Sequence, residues 1–320
     1  MTTTLPKTLT QRIALRQLLG QDGYQDALLK IAGGDTETLE KWSEPLTREE
    51  RANRKQVIFD LWLAGKTERE IAKVSAIDKS QVHRIINVLI QNTPNPDSDE
   101  KPPIYNVWNF ADCDPRFGQA HPGQIPGQVV LNLLLWLTKP FDFVVDPMGG
   151  GGTAIDVCKY LNRRYKVFDI DPRRPDIEEW DIRKGYPKLP RKPDFIFLDP
   201  PYWRLKQSEY SADGSAMGSY ADWLAFMTKL AKDSARTVRP GCHVALMVES
   251  FLDEKESGEF LFLNRDCLNL FEKAGLEGIQ EISVNMPSQI KSFRDVLYAR
   301  EHNILLDLKR ELFVFRRPSL

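Results

Sequence analysis

Cysteine is scarce in this 320-residue chain: Cys113, Cys158, Cys242 and Cys267 stand far apart, with no Cys-x-x-Cys pair among them. That spacing excludes a disulfide framework or a zinc ribbon, and a reduced cytoplasm is the expected location. Net charge is nearly absent, because 44 Lys and Arg face 45 Asp and Glu. No bulk field therefore draws the whole protein to a polyanion or a membrane, and any such affinity has to be local. Long apolar runs are missing as well. The most apolar, Val129 to Leu137, is short and carries Asn132, and no basic stretch followed by an apolar one opens the chain, so neither a membrane span nor a signal peptide is expected. What remains is a globular composition, 42% hydrophobic and 28% charged, which excludes a disordered or fibrous chain. Its length suits about two domains.

The first 92 residues read as a helical domain. Apolar positions recur at helical spacing across residues 8–64 (Leu15, Leu18, Leu19; Leu28, Leu29, Ile31; Val57, Ile58, Leu61, Trp62). The proline-rich stretch Thr93 to Pro103 cannot continue a helix or strand and predicts a linker. A second domain then fills 104–320. Its short apolar runs mostly end in aspartate: Phe143 to Asp146, Tyr165 to Asp169, Phe195 to Asp199, joined by His243 to Val248. Helical stretches between them predict an open, mostly parallel α/β sheet. After Trp203 come a predicted lid (Arg204 to Tyr220), a helix (Ala221 to Val238) and an antiparallel ending near Glu281 to Asn285 and Leu312 to Phe315.

Charge is uneven. Arg51 to Asn92 holds eight Lys or Arg against four Asp or Glu. Inside it, about residues 66–88 read as two short helices with a tight turn. Thr67 and Glu70 form a capping box, Asp78 or Ser80 can cap the second helix, and Ala72 is small enough for close helix crossing. The second helix then presents Lys79, Ser80, Gln81, His83 and Arg84, side chains able to bond phosphates and base edges in a major groove. The segment looks like the helix-turn-helix of bacterial DNA-binding proteins, so double-stranded DNA is the expected partner. The alternative is a helical hairpin with a solvated basic face.

Asp146-Pro147-Met148-Gly149-Gly150-Gly151-Gly152-Thr153 follows an apolar strand and precedes an amphipathic helix. Successive glycines permit close ligand approach, and the strand ends of such sheets are where nucleotides bind. No Gly-Lys-Ser/Thr ends the turn, which argues against a phosphate-binding P-loop. From the end of the next strand Asp169 can hold both hydroxyls of an adenosine ribose. Trp180-Asp181-Ile182 can bracket the adenine, with Asp181 accepting from its amino group. An ordinary cap or strand-end carboxylate is the competing reading of Asp169 and Asp181.

Asp199-Pro200-Pro201-Tyr202 follows a buried strand at the same sheet edge. An exocyclic base amine is a weak nucleophile because its lone pair is delocalised into the ring. Hydrogen bonds accepted by Asp199 and the Pro200 carbonyl would aim that lone pair at a methyl donor. Pro200 and Pro201 stiffen the backbone, and Tyr202 can stack on a base flipped from the duplex. The glycine loop, the downstream acid and the Asp-Pro-Pro-Tyr tetrapeptide, in this order, resemble the S-adenosylmethionine-dependent DNA amino-methyltransferases over roughly His121 to Pro318.

That resemblance implies a Rossmann-like fold with a mixed seven-stranded sheet and S-adenosyl-L-methionine as cofactor. It assigns Asp146, Pro147, Gly149, Gly150, Gly151 and Thr153 to the methionine-binding loop, Asp169 to the ribose, and Asp199 to Tyr202 to catalysis. His121 to Pro126 is similar to the family's segment flanking the methionine end. Met148 and Gly151 stand where many members carry an aromatic and a serine. An acidic first residue in the tetrapeptide implies adenine N6 as target; cytosine N4, or a DNA-binding regulator that only senses cofactor, are the alternatives. No metal and no membrane is called for, and a homodimer stays open.

Overall fold

The computed structural model describes residues 48–75, 77–110, 112–120, 124–201, 219–252, 260–285, 293–305 and 309–319. Two compact units emerge, Met1–Pro94 and Asn95–Leu320. The apolar positions at Leu15 to Leu19 and Leu28 to Ile31, the segment His121 to Gly123 and most of the expected lid lie outside the described residues.

In the first unit three helices pack together: α1 (Arg48–Leu63), α2 (Glu68–Ser75) and α3 (Lys79–Asn92). Gly65, at φ 73°, closes α1, and the Lys66 N–H reaches back to the Leu61 carbonyl. The capping box forms as the spacing predicts. Glu70 accepts from the Thr67 N–H at 2.7 Å and the Thr67 hydroxyl accepts from the Glu70 N–H at 3.3 Å. Asp78 rather than Ser80 caps α3, accepting from the Gln81 N–H. Ile58, Ile71, Val82 and Ile86 form the small core, with Ala72 against it.

Among the described residues the second unit is built on a mixed sheet of eight strands, not seven, in the order β1 (Val107–Asn109), β9 (Glu277–Asn285), β10 (Lys309–Arg316), β6 (His243–Val248), β5 (Phe195–Leu198), β2 (Phe143–Asp146), β3 (Arg164–Asp169), β4 (Glu178–Glu179). Only β10 among them runs against its neighbours. The sequence hides the edge strands because β1 has three residues and β4 two exposed glutamates, neither with an apolar run to betray it. By contrast β2 and β5 are buried along their whole length, as continuous apolar strands covered on both faces must be. Helices α6 (Tyr220–Thr237) and α7 (Leu263–Lys273) pack Trp223, Met227, Leu230, Leu263 and Phe271 into the core with Phe143, Ile196 and Leu246. Helix α4 (Gly127–Leu137) lies against α5 (Thr153–Tyr160), which in turn packs on β3. A short hairpin, β7 (Phe251–Leu252) with β8 (Phe260–Leu261), α8 (Phe293–His302) and two short 3-10 turns, Pro96–Asp99 and Ile182–Lys184, complete the described elements.

The stretch read as a linker is fastened to the second unit. Arg163 is fully buried, and its guanidinium donates to both Asp97 carboxylate oxygens at 2.5 and 2.9 Å. Its remaining N–H groups donate to Thr138 Oγ1, the Thr138 carbonyl and the Leu161 carbonyl. The Tyr160 hydroxyl adds a bond to Glu100 at 2.6 Å. Asp97→Ala would strand a buried cation and is expected to cost about 3–5 kcal/mol. Asp97→Ala with Arg163→Met should recover most of that loss in denaturant unfolding. A cost within experimental error for Asp97→Ala alone would mean water replaces the pair.

Candidate active site

The chain winds from β2 through β3 to β4, then returns to lay β5 on the other side of β2. At such a reversal the two flanking loops part and leave a crevice at the carboxyl ends of the strands. Asp146 ends β2, Asp169 ends β3 and Asp199 directly follows β5, so three carboxylates converge on that crevice. The strands are the reason: β2 and β5 are buried throughout and β3 is buried at Tyr165, Val167 and Phe168, so each strand's position is fixed and its closing aspartate is brought to the same edge of the sheet.

The glycine loop is held from below. The Gly149 N–H donates to the Phe168 carbonyl and the Gly150 N–H to Asp169 Oδ2, both at 2.8 Å. Asp169 Oδ1 accepts from the Asp171 N–H at 3.0 Å. Asp169 thus ties the loop to the end of β3, while its two carboxyl oxygens, each with one such bond, keep further lone pairs for a ligand. Gly152, at φ 82°, turns the chain into α5, where Thr153 is buried. A side chain at Gly149 would stand 2.2 Å from Val167 Cγ1, so the loop fits β3 only without a Cβ. Pro147 is buried beside it.

Asp146 is 4% exposed and accepts from the Met148 N–H at 2.9 Å. Burial, reinforced by the negative charges of Asp169 and Asp199, pushes its carboxyl up to about 8. An unfolded aspartate titrates near about 3.9. Between these values the unfolded chain ionises while the native one keeps its proton, so stability falls as pH rises from about 4 to about 8. Asp146→Asn should therefore flatten the decline of Tm across that window. Parallel pH profiles for the two proteins would show that Asp146 ionises normally.

Pro200 and Pro201 are buried and Asp199 is half-buried. The Pro201 carbonyl accepts from the indole N–H of Trp223 at 3.1 Å. Trp223, fully buried on α6, stacks on Tyr220 at 5.8 Å, and the Ser219–Asp222 capping box starts that helix. Tyr202 lies outside the described residues. Asp181 points to its own turn: it caps the helical turn after β4 and pairs with Arg183, whose N–H and Nε both lie 2.9 Å from Oδ1. Ile182 is buried in the core with Phe143 and Phe168. Lys79, Ser80, Gln81, His83 and Arg84 are exposed on α3 of the first unit.

Several contributors escape the sequence. The Gln119 N–H donates to the Gly151 carbonyl at 2.9 Å, and the Gly118 N–H to Asp156 at 2.8 Å. Arg174 clamps Asp156 and Asp176 and reaches the Gly151 carbonyl. Asp176, which burial alone would raise, is held at about 2 by Arg174 and Lys159. These bonds buttress the loop from both sides, and no local motif announces them.

The DNA methylase family matches residues 36–178, which include the glycine loop and Asp169 and stop before Asp199. Among curated proteins the chain is 37% identical over 71 residues to the type II methyltransferase M.Cfr9I of Citrobacter freundii, covering 22% of this chain and 23% of that one. It is 26% identical over 134 residues to the type II methyltransferase M.HinfI of Haemophilus influenzae, covering 35% and 36%. The chain thus spans about a quarter to a third of the length of these relatives. Solved structures that match include TrmN of Thermus thermophilus, at 15% identity and a TM-score of 0.39 over 61% of this chain and 50% of that one. Another is the N-methyltransferase NodS of Bradyrhizobium japonicum, at 14% identity and a TM-score of 0.39 over 60% and 94%. The matched stretch is similar to DNA amino-methyltransferases.

Proposed function

We propose that the protein transfers a methyl group from S-adenosylmethionine to the N6 amine of adenine in double-stranded DNA. The convergence of Asp146, Asp169 and Asp199 on the crevice between β2 and β5 carries this reading. The residues fit such a ligand. A carboxyl pushed up to about 8 by burial, with the charges of Asp169 and Asp199 adding to it, is a site short of a cation, and S-adenosylmethionine brings both an ammonium and a sulfonium. It supplies, when bound, a methyl group on an excellent leaving group. Asp146 and the loop Pro147 to Thr153 would hold its methionine end, and Asp169 the ribose hydroxyls through lone pairs its two loop bonds leave over. Asp181 can take the adenine amine only by sharing its carboxylate with Arg183.

Asp199 and the Pro200 carbonyl would accept from the target amine's two N–H groups and turn its lone pair toward the methyl carbon. The Trp223 bond to the next carbonyl holds the tetrapeptide in place for this task. Tyr202 would stack on the flipped base. The basic, exposed face of α3 favours duplex DNA as partner, as in a helix-turn-helix.

Incubation with labelled S-adenosylmethionine and duplex DNA, followed by digestion to nucleosides, tests the proposal. N6-methyladenine is the expected product. N4-methylcytosine as the sole labelled nucleoside would overturn the target and leave the chemistry standing, and an unlabelled digest would overturn both.

A further inference from the structure

From α2 to α3 a hydrogen-bonded chain runs through three side chains that share one surface groove with Lys79 and Arg84. Glu68 of α2 lies 2.8 Å from His83 Nδ1, and His83 Nε2 lies 2.9 Å from Asn87 Nδ2. Lys79 also approaches Glu68, at 3.9 Å. A carboxylate can only accept, so His83 donates to Glu68 from Nδ1, and with the Asn87 amide nitrogen placed against Nε2 that second ring nitrogen accepts. Nε2 can then take only a donor from Asn87, which fixes which way the amide faces. One Asn87 N–H is spent on His83. The other N–H and Oδ1 remain side by side on an exposed residue, with no hydrogen-bond partner among the described residues.

A donor beside an acceptor on a flat amide complements the major-groove edge of adenine, where N7 accepts and N6–H donates. The amide's N–H on the same side as Oδ1 is the one such a pair uses, and the opposite N–H is free to serve His83. We propose that Asn87 reads an adenine of the recognition sequence, and that Glu68 and His83 are positioning residues that hold its amide in the reading orientation. This rests on the reading of α3 as a DNA-facing helix. Without His83 the amide would rotate about its side-chain torsions, and the two orientations would favour different bases.

Selection from a randomised duplex oligonucleotide pool, with the bound fraction sequenced, tests this on the full chain. Asn87→Ala is expected to lose about tenfold discrimination at a single A·T pair while preferences elsewhere stay. His83→Ala and Glu68→Gln should weaken discrimination at that same pair. Replacing its adenine by 7-deazaadenine, which lacks N7, should weaken wild-type binding and leave Asn87→Ala unmoved. In parallel, Lys79→Ala with Arg84→Ala should lower affinity for all sequences and reduce the salt slope. A normal preference in Asn87→Ala, with Lys79→Ala/Arg84→Ala weakened, overturns the assignment of Asn87 alone. A uniform loss across all sequences in His83→Ala overturns its positioning role. Unchanged affinity and salt slope in Lys79→Ala/Arg84→Ala overturn the DNA-facing reading of α3 and this inference with it.

Discussion

Asp199→Ala is expected to lower methyl transfer by about a thousandfold, the scale on which a single aligned polar contact to the reacting group acts, while cofactor binding changes little. The reason is geometric. Asp199 follows β5 on the far side of Asp146 from Asp169, so removing it would take away the acceptor proposed for the target amine and leave the glycine loop bonded as before. One side effect is built in: Asp199 is among the charges that raise Asp146, so the variant should also ease ionisation of Asp146. Asp199→Asn, which keeps an acceptor oxygen without the charge, should fall between the two. Single-turnover rates beside calorimetric binding separate these outcomes. Equal losses of binding and rate in Asp199→Ala would place Asp199 on the cofactor instead.

Gly149→Ala is expected to abolish measurable cofactor binding and to destabilise the protein. The new methyl would stand 2.2 Å from Val167 Cγ1 and 3.4 Å from the Phe168 carbonyl. Strand β3 is pinned between β2 and β4, so the loop has to move. Overpacking of this kind costs about 1–3 kcal/mol. The Gly149 N–H bond to Phe168 would lengthen with it, displacing Gly150 from Asp169. Val167→Ala removes the clashing atom, so Gly149→Ala with Val167→Ala should regain binding that Gly149→Ala alone lacks. A double variant no better than the single one would mean that the loop's flexibility, rather than its fit on β3, is what glycine supplies.

The strand-end carboxylates Asp146 and Asp199 of the candidate site were legible for one physical reason. A strand buried on both faces needs an unbroken apolar run, so Phe143 to Asp146 and Phe195 to Asp199 announce both the strand and the carboxylate at its end. The capping box at Thr67 and Glu70 is legible because its two partners are three residues apart. Arg163 was not, since its partner Asp97 is 66 residues away and sits in a stretch whose prolines suggest only a linker. The bond from Trp223 to Pro201 was hidden for the same reason, as nothing in a helical tryptophan says which carbonyl it will meet. Asp181 marks the opposite limit. Its neighbour two positions on, Arg183, already occupies it, and a carboxylate's availability depends on which rotamer the surrounding fold selects.

The proton held by Asp146 has a calorimetric consequence. With its carboxyl pushed up to about 8, most of the unliganded protein at neutral pH carries that proton inside the crevice. A cation seated beside Asp146 favours the carboxylate and expels the proton, so binding and proton release become one event. The buffer then takes up what the protein gives off. Heats of cofactor binding measured in phosphate and in Tris should differ by the buffers' ionisation heats times the fraction of a proton released, and Asp146→Asn should erase the difference.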